Sequence, residues 1–232
     1  MNGLILKPRL AAIAAFVPTG ASVADIGTDH AYLPVFLLQS GVVNKAIAAD
    51  IHAGPYRAAT ETVAAFGLLD SISVRFGNGL SVLAPSEADT VVIAGMGAST
   101  IIKILEASSD ITNSLTRLIL QPMTAAAALR RWLVENSWNI VEEELVEEDQ
   151  ILYEIIVAER GSALSYQSIF DDIGPRLWAN HHPLLRNHIE RLIAHYSGIL
   201  AEMSKSPTAS ATIKYREYAR KIADLEEKFT CL

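Results

Sequence analysis

The stretch from Val23 to Pro34 constrains the fold of this chain more than any other segment. A largely apolar run, residues 21–26, predicts a buried parallel strand; it stops at Gly27, and a helix-compatible segment follows at residues 32–39. A strand, a tight glycine turn and a helix form the nucleotide-binding arrangement of open α/β sheets. In that arrangement the glycine lets the backbone approach a ligand, and the helix N-terminus offers free N–H groups.

The turn lacks the glycines that a dinucleotide-binding fingerprint requires. Only Gly27 is present, and Asp29 stands where a later glycine would be. A carboxylate there repels a pyrophosphate but suits a cofactor with a cationic end. S-adenosylmethionine carries a sulfonium and an ammonium and no phosphate, so the turn favours a methyl donor over NAD. An ordinary strand–loop–helix junction is the alternative for this stretch taken alone.

Composition limits the class of protein. The chain has 232 residues, half of them hydrophobic, which is enough for one large domain or a domain with an appendage. The N-terminal segment lacks a secretion-signal pattern, and no apolar run reaches membrane-spanning length, so we expect a cytoplasmic protein that binds no membrane. The single Cys231 excludes a disulfide framework, and His30 and His52 have no partners at metal-ligand spacing, so we expect no metal.

The charge is unevenly distributed along the chain. The net charge of −7 argues against a general nucleic-acid binder. Residues 1–160 hold 10 Lys and Arg against 18 Asp and Glu, whereas residues 161–232 hold nine against eight. The C-terminal part is therefore the better candidate for contact with a polyanion, although two solvated regions of differing composition would show the same contrast.

Strands alternate with helices over the first 160 residues. Five strands are predicted at residues 21–26, 45–51, 72–76, 90–94 and 117–120, with helices at 4–16, 32–39, 53–66, 98–107 and 124–137. Two further strands, 139–148 and 150–159, form a hairpin around an acidic turn at 147–149. The pattern predicts an α/β fold, a doubly wound, Rossmann-like sheet closed by an antiparallel hairpin, which is the usual ending of class I methyltransferase sheets.

The C-terminal segment has a different periodicity. Apolar residues separated alternately by four and three positions predict two helices with coiled-coil spacing, Leu185, Ile189, Leu192, Tyr196, Ile199 and Met203 in one and Ala211, Tyr215, Tyr218, Ile222, Leu225 and Phe229 in the other. Ser206 and Pro207 between them supply an N-cap and a first-turn proline. The chain is thus divided into a catalytic domain at 1–160, a linker at 161–182 and an antiparallel helical hairpin at 183–232.

Four features fall at the predicted carboxyl ends of strands, where open α/β sheets bind ligands. They are the acidic turn Asp25–Asp29, Asp50, the Gly77–Gly79 segment and the Ala94–Gly97 segment. A carboxylate ending the second strand can accept both ribose hydroxyls, and Asn78 offers a donor and an acceptor to an adenine edge. The alternatives are a helix cap for Asp50, a turn with positive φ for Asn78 and a tight strand–helix turn at the last segment.

Taken together, these motifs resemble the bacterial tRNA (adenine-22-N1)-methyltransferase family, often called TrmK. The resemblance covers nearly the whole chain, and its two specific strings are Asp25-Ile26-Gly27-Thr28-Asp29-His30-Ala31-Tyr32-Leu33-Pro34 and Ala94-Gly95-Met96-Gly97. Weaker shared segments are 6–10, 54–55, 75–80, 118–122, 147–149, 153–155 and 174–175. Three positions depart from the family: Asn78 replaces the usual Asp, Ala98 a second Gly and Met123 an Asn.

The resemblance implies methyl transfer from S-adenosylmethionine to N1 of adenine 22 in tRNA. It implies a cofactor site made of Asp25, Gly27, Thr28, Asp29, Asp50, Gly77, Asn78, Ala94, Gly95 and Met96, in which Asp29 is also the catalytic candidate. The substrate-binding candidates are Arg9, Tyr32, Arg186, Arg191, Lys214, Arg216 and Arg220. Adenine N1 already has an in-plane lone pair, so the enzyme has to align the reactants and exclude water rather than supply a strong base.

Two other functions fit the same sequence. One is a methyltransferase that acts on another RNA or on a small molecule. The other is a non-catalytic nucleotide-binding module whose helical hairpin serves dimerisation, whereas the tRNA-modifying enzyme is expected to be a monomer. The basic outer face of the hairpin separates them, because tRNA binding weakens steeply with salt and an apolar dimer seam does not.

Overall fold

The computed structural model describes residues 3–161 and 166–232. The chain divides into two compact units, residues 1–164 and residues 165–232. Residues 162–165 of the predicted linker lie outside the described part of the chain.

The first unit is built on a seven-stranded sheet. Its strands are β1 (Val23–Ile26), β2 (Ala46–Asp50), β3 (Ile72–Phe76), β4 (Thr90–Met96), β5 (Arg117–Pro122), β6 (Trp138–Glu148) and β7 (Ile151–Arg160). They lie in the order β3-β2-β1-β4-β5-β7-β6, with β1 to β5 parallel and β7 antiparallel to both of its neighbours. The strand order reverses between β1 and β4, which places the ligand crevice of such a sheet at their carboxyl ends.

Helices cover both faces of the sheet. They are α1 (Pro8–Ala15), α2 (Tyr32–Gln39), α3 (Ala53–Ala65), α4 (Ala98–Ala107), α5 (Ser109–Ser114) and α6 (Ala126–Glu135), with a 3-10 turn at Gly79–Val82. Successive strand side chains alternate between two apolar cores. Val91 and Ile93 belong to the core that includes residues of α4 and α6, and Val92 belongs to the one that includes residues of α1, α2 and α3. Burial on both faces explains why the parallel strands read as continuous apolar runs.

The closing hairpin turns on two residues. Asp149 and Gln150 have φ of 50° and 66°, and Glu148 pairs directly with Ile151. Two successive positive φ angles are the pattern of a type I′ turn, whose twist matches that of the flanking strands. The predicted acidic turn at 147–149 therefore begins two residues later, because β6 continues through Glu148.

A buried ion-pair network joins the hairpin to α6. The Arg130 guanidinium is fully buried and donates from Nε to Glu143 at 2.6 Å and from Nη2 to Glu154 at 2.6 Å. The two carboxylates raise the pKa of Arg130 further above its ordinary value, against the opposing effect of burial. The cation holds together strands β6 and β7 and the helix that packs on them.

The second unit is helical. It contains α7 (Ile169–Ile173), α8 (Pro175–Ala179), α9 (Leu185–Ser204), α10 (Pro207–Ser210) and α11 (Ile213–Thr230). The start of α9 meets the end of α11, where the Arg186 guanidinium lies 4.1 Å from the Phe229 ring, and the end of α9 meets the start of α11, where the Ser204 and Tyr215 hydroxyls are 3.2 Å apart. The two long helices are therefore antiparallel, and coiled-coil packing between them stays a prediction.

Two short helices, α7 and α8, lie within the range predicted as a linker. A buried carboxylate of α7 binds the two long helices of the helical hairpin. Asp172 is 4 % exposed and accepts from Lys221 Nζ at 2.6 Å and from the Tyr196 hydroxyl. Ser206 accepts from the Ala209 N–H and caps the short α10, whose first residue is Pro207, rather than the second long helix, which begins at Ile213 and leaves Ala211 outside. Thr212 caps α11 in the same way.

The Arg130 network gives a stability prediction. Arg130→Leu leaves the Glu143 carboxylate buried without its cation, which costs about 3–5 kcal/mol of unfolding free energy. Urea unfolding followed by circular dichroism measures the loss. The control is Arg57→Leu at an exposed position of α3, which we expect to change stability by less than about 0.5 kcal/mol. Equal losses in the two variants would contradict a structural role for the network.

Candidate active site

Two adjoining cavities lie at the carboxyl ends of the central strands. One, of about 410 Å³, is lined at its polar end by Asp50, Gly77 and Asn78, and the other, of about 350 Å³, by Arg9, Asp25, Thr28, Asp29 and Tyr32. They share Gly27, Ala94 and Gly95, so the turn after β1 and the end of β4 separate them. Larger hollows of about 600 and 550 Å³ open at the opposite, amino-terminal edge of the sheet, away from these residues.

The turn after β1 keeps left-handed backbone at residues other than glycine. Gly27 has φ of 78°, and Asp29 and Ala31 have φ of 53° and 54°. Side chains rarely adopt this region, and such strain concentrates at functional sites. A Cβ at Gly27 would stand 2.1 Å from Met96 Cε, so a side chain there would strain the backbone and displace the end of the Met96 side chain. Ala31 precedes α2 without a side-chain cap, so Asp29 does not cap this helix.

Asp25 is a buried carboxyl beneath this turn. It is 7 % exposed and accepts a 2.6 Å hydrogen bond from the Thr28 hydroxyl. Burial raises its pKa from the ordinary value of 3.8 to about 6, and the negative charge of Asp50 adds to the increase, while the Thr28 hydrogen bond and the Arg9 guanidinium oppose it. The group is an acid poised to ionise more readily when a cation arrives.

Asp50 ties the first two loops together. Its Oδ1 accepts from the His52 N–H at 2.9 Å, and its Oδ2 lies 3.4 Å from the Asp29 N–H. Helix α3 has His52 as its N-cap residue, with no side-chain capping bond, so capping is not the role of Asp50. A carboxylate has about four acceptor positions, which leaves room for ligand hydroxyls.

The end of β3 presents Asn78 and exposed aromatic surface. Asn78 has φ of −95°, so the positive-φ turn proposed as its alternative role falls instead on Gly79, with φ of 55°. Phe76 is 60 % exposed and meets the Tyr56 ring edge-to-face at 5.7 Å. An exposed amide beside apolar side chains suits a flat heteroaromatic ring.

The end of β4 is irregular, and it depends on a residue that sequence reasoning missed. The register shifts between Ala94 and Met96, and Gly95 has φ of 76°. The Gly95 N–H donates to Gln121 Oε1 at 3.1 Å. Sequence analysis placed Gln121 only directly after the fifth predicted strand and within the shared segment 118–122; a polar residue following an otherwise apolar strand was the signal available.

Aromatic and basic side chains surround the second cavity. The His30 and Tyr32 rings stack at 5.2 Å with an interplanar angle of 10°, and Tyr32 is 41 % exposed. Arg9 donates to Gln121 at 2.9 Å. Arg9 and Tyr32, predicted as substrate contacts, thus lie around the same cavity as Asp25 and Asp29.

The basic residues predicted on the helical hairpin all belong to the second unit and are exposed. Arg186 and Arg220 lie 3.8 Å from Glu190 and Asp224, and Arg191 donates to Asn187 at 3.0 Å. Lys214 lies 5.8 Å from the centre of the Tyr218 ring, and Arg216 is also exposed. Exposed pairs of this kind are weak, so these cations can exchange partners for a phosphate at little cost.

Metal-ion clusters and membrane-spanning helices are both absent from the described residues. Within 3–161 and 166–232, no group of three or more His, Cys, Asp or Glu side chains is arranged to hold a metal ion. In the same residues no helix has the length and apolar character to cross a membrane.

The sheet order, the antiparallel closing strand and the acidic glycine turn together define a class I methyltransferase. Residues 23–227 match the family described as TrmK, tRNA (adenine(22)-N(1))-methyltransferase. The tRNA (adenine(22)-N(1))-methyltransferase of Bacillus subtilis (strain 168) is 37 % identical over 98 % of this chain and 96 % of its own. The chain belongs to the tRNA (adenine(22)-N(1))-methyltransferase family.

Solved structures agree with this assignment. The Streptococcus pneumoniae putative tRNA (m1A22) methyltransferase in complex with S-adenosyl-L-methionine has a TM-score of 0.82 and 32 % identity, over 96 % of this chain and 99 % of that one. The M. capricolum TrmK in complex with S-adenosyl-homocysteine has a TM-score of 0.84 and 28 % identity, over 97 % and 98 %.

The raised pKa of Asp25 predicts that removing its carboxyl group stabilises the protein, and that the gain depends on pH. The folded state holds the proton up to pH about 6 and the unfolded state only to about 4, so ionised Asp25 destabilises the fold above pH 6. Asp25→Asn removes this cost, and we expect it to raise the unfolding free energy by up to about 3 kcal/mol at pH 8, with the gain vanishing below pH 4.

Urea unfolding at pH 4 and pH 8 measures this change. The exposed Asp70→Asn serves as the control for a change of charge alone, and we expect no such pH dependence from it. A stability change in Asp25→Asn that is the same at both pH values would show that the buried carboxyl is not the cause.

Proposed function

We propose that the protein transfers the methyl group of S-adenosylmethionine to N1 of adenine 22 in tRNA. The observation that carries the proposal is the group of three carboxylates, Asp25, Asp29 and Asp50, around the Gly27 turn of a chain that belongs to this family. Negative charge at this place suits a donor with a sulfonium and an ammonium, and it opposes the pyrophosphate of a dinucleotide.

The cofactor residues divide between the two cavities. In our proposal Asp50 accepts the ribose hydroxyls with the oxygen positions that His52 and Asp29 leave open, and the adenine lies against Gly77 and Asn78. The methionyl end passes Gly27, Ala94, Gly95 and Met96 and meets Asp25 and Thr28 in the second cavity. The fit is supported by the strand-end positions of all these groups and by the structures of relatives that hold S-adenosyl-L-methionine or S-adenosyl-homocysteine.

The chemistry requires alignment more than proton transfer. The lone pair of adenine N1 attacks the methyl carbon, the carbon–sulfur bond breaks, and the base gains the positive charge that the sulfonium loses. Holding N1, carbon and sulfur in line supplies much of the acceleration. In our proposal the exposed carboxylate of Asp29 stabilises this moving charge. The target adenine has to leave its stack in the tRNA before its N1 can reach the methyl group, and we propose that it then lies against the stacked His30 and Tyr32 rings.

The rest of the tRNA is held by charge. Arg9 of the first unit and Arg186, Arg191, Lys214, Arg216 and Arg220 of the second are the proposed phosphate contacts. We also propose that the protein works in the cytoplasm, where bacterial tRNA is found, and that it works as a monomer. A dimerising, non-catalytic module does not require the three carboxylates.

Nucleoside analysis after reaction with tRNA tests the proposed function. The full chain is incubated with S-adenosylmethionine and two transcripts of one tRNA, one with adenine and the other with guanine at position 22. We expect 1-methyladenosine only in the first. Modification of both transcripts, or of another nucleoside, would show that the enzyme acts on a different position or RNA. The absence of methylation on any tRNA would contradict the proposal.

Asp29→Asn tests the proposed catalytic charge. The substitution keeps size and shape and removes the charge, and we expect a tenfold or larger fall in turnover with S-adenosylmethionine saturating, which corresponds to about 1.4 kcal/mol on the barrier. The control is Asp70→Asn, an equal change of charge at an exposed position beyond the opposite edge of the sheet. Normal turnover in Asp29→Asn would show that the charge is not used.

A further inference from the structure

Every polar atom of the Gln121 side chain has a partner. The residue is fully buried at the end of β5. Its Oε1 accepts from the Gly95 N–H at 3.1 Å and from Arg9 Nη1 at 2.9 Å, while its Nε2 donates to the Pro122 carbonyl at 3.0 Å and to Met123 Sδ at 3.5 Å. Two donors on one side and two acceptors on the other fix the orientation of the amide.

The contact with Gly95 determines where the preceding carbonyl points. The described residues contain no cis peptide bond, so the Ala94 carbonyl points away from the Gly95 N–H. Strand β4 lies between β1 and β5. Because the N–H faces β5 and Gln121, the Ala94 carbonyl faces β1 and the turn at Gly27, where the two cavities meet.

The other partner of Gln121 is itself anchored. The Arg9 backbone N–H donates to Glu148 Oε2 at 2.9 Å, and its guanidinium lies 5.4 Å from the centre of the Tyr153 ring. Beside it, Lys7 lies 3.3 Å from Asp149. Helix α1 is thereby fixed to the tip of the closing hairpin, and Arg9 in turn holds the oxygen of Gln121.

We propose that Gln121 is a positioning residue for methyl transfer: by holding the Gly95 amide it aims the Ala94 carbonyl at an amino group bound between the two cavities. The inference rests on the proposed function. The amino group is an N–H donor, supplied by the exocyclic amine of the target adenine or by the ammonium of S-adenosylmethionine. A carbonyl acceptor recognises either, and it also discriminates against a base that presents an oxygen at that place.

Side chains of similar size separate the contributions of the amide. Gln121→Leu removes the acceptor and leaves the Gly95 N–H and Arg9 without their partner, so the Gly95 peptide is free to rotate. Gln121→Glu keeps an acceptor for both donors and loses the donations to the Pro122 carbonyl and to Met123 Sδ. If Gln121 acts by holding the Gly95 peptide, the second variant retains activity that the first loses.

Steady-state kinetics on full-length variants test the proposal, with Thr112→Val as the control. Thr112 is 4 % exposed and donates to the Leu105 carbonyl, so the control also removes a buried hydrogen bond from the first unit. We expect Gln121→Leu to lower kcat at least tenfold at a temperature where it is fully folded, Gln121→Glu to recover part of it, and Thr112→Val to retain wild-type kcat. A wild-type kcat in folded Gln121→Leu would overturn the proposal, as would equal losses in Gln121→Leu and Gln121→Glu.

Two further measurements identify which amino group the Ala94 carbonyl binds. Calorimetry with S-adenosylmethionine alone shows weaker binding in Gln121→Leu if the carbonyl holds the cofactor's ammonium, and unchanged binding if it holds the base. The second measurement uses a tRNA with purine, which lacks the exocyclic amine, at position 22. If the Ala94 carbonyl binds the amine of the target base, the wild type and Gln121→Leu should methylate this tRNA equally slowly. A full tenfold difference on purine together with unchanged cofactor affinity overturns the proposal. Wild-type methylation of position 22 in parallel separates these outcomes from a failure of the proposed function.

Discussion

The site depends on a carboxyl group, Asp25, which is buried beneath the turn after β1, where Gly27 has left-handed backbone. Burial raises the pKa of Asp25 to about 6, so ionisation costs more free energy there than in water, and the Thr28 hydrogen bond offsets only part of that cost. A cation placed beside it reverses that balance. The buried charge therefore lowers the free energy of unfolding at neutral pH while it provides a binding group for the proposed methyl donor. Residues that bind ligands commonly reduce stability in this way.

The other groups of the site are held by strand ends that lie far apart in sequence. Asp50 links the loops after β1 and β2, Gln121 links β4 to β5, and Arg9 links α1 to the closing hairpin. Each polar group bonds to two segments and so links the loops around the site. This preorganisation is what alignment of three reacting atoms requires, because the enzyme gains little from proton transfer at adenine N1.

The sequence was sufficient for the fold of the first unit and for much of the site. Buried parallel strands are continuous apolar runs, so β1 to β5 and the residues at their carboxyl ends could be predicted. The closing hairpin was also confirmed, with its turn at Asp149 and Gln150. Local spacing does not reveal partners 112 residues apart, such as Arg9 and Gln121, or the burial of Arg130 between Glu143 and Glu154. The positive φ of Asp29 and Ala31 was hidden because glycine normally marks such positions.

Proton release on cofactor binding tests most directly whether the buried carboxyl meets a cationic donor. Calorimetry of S-adenosylmethionine binding at pH 6, in two buffers that differ in ionisation enthalpy, counts the protons released. With a pKa of about 6 in the free protein, Asp25 should lose about half a proton when the ammonium binds. The account predicts that release in the wild type and its absence in Asp25→Asn, which should also bind more weakly. Binding without proton release in the wild type, or with equal release in both proteins, would contradict it.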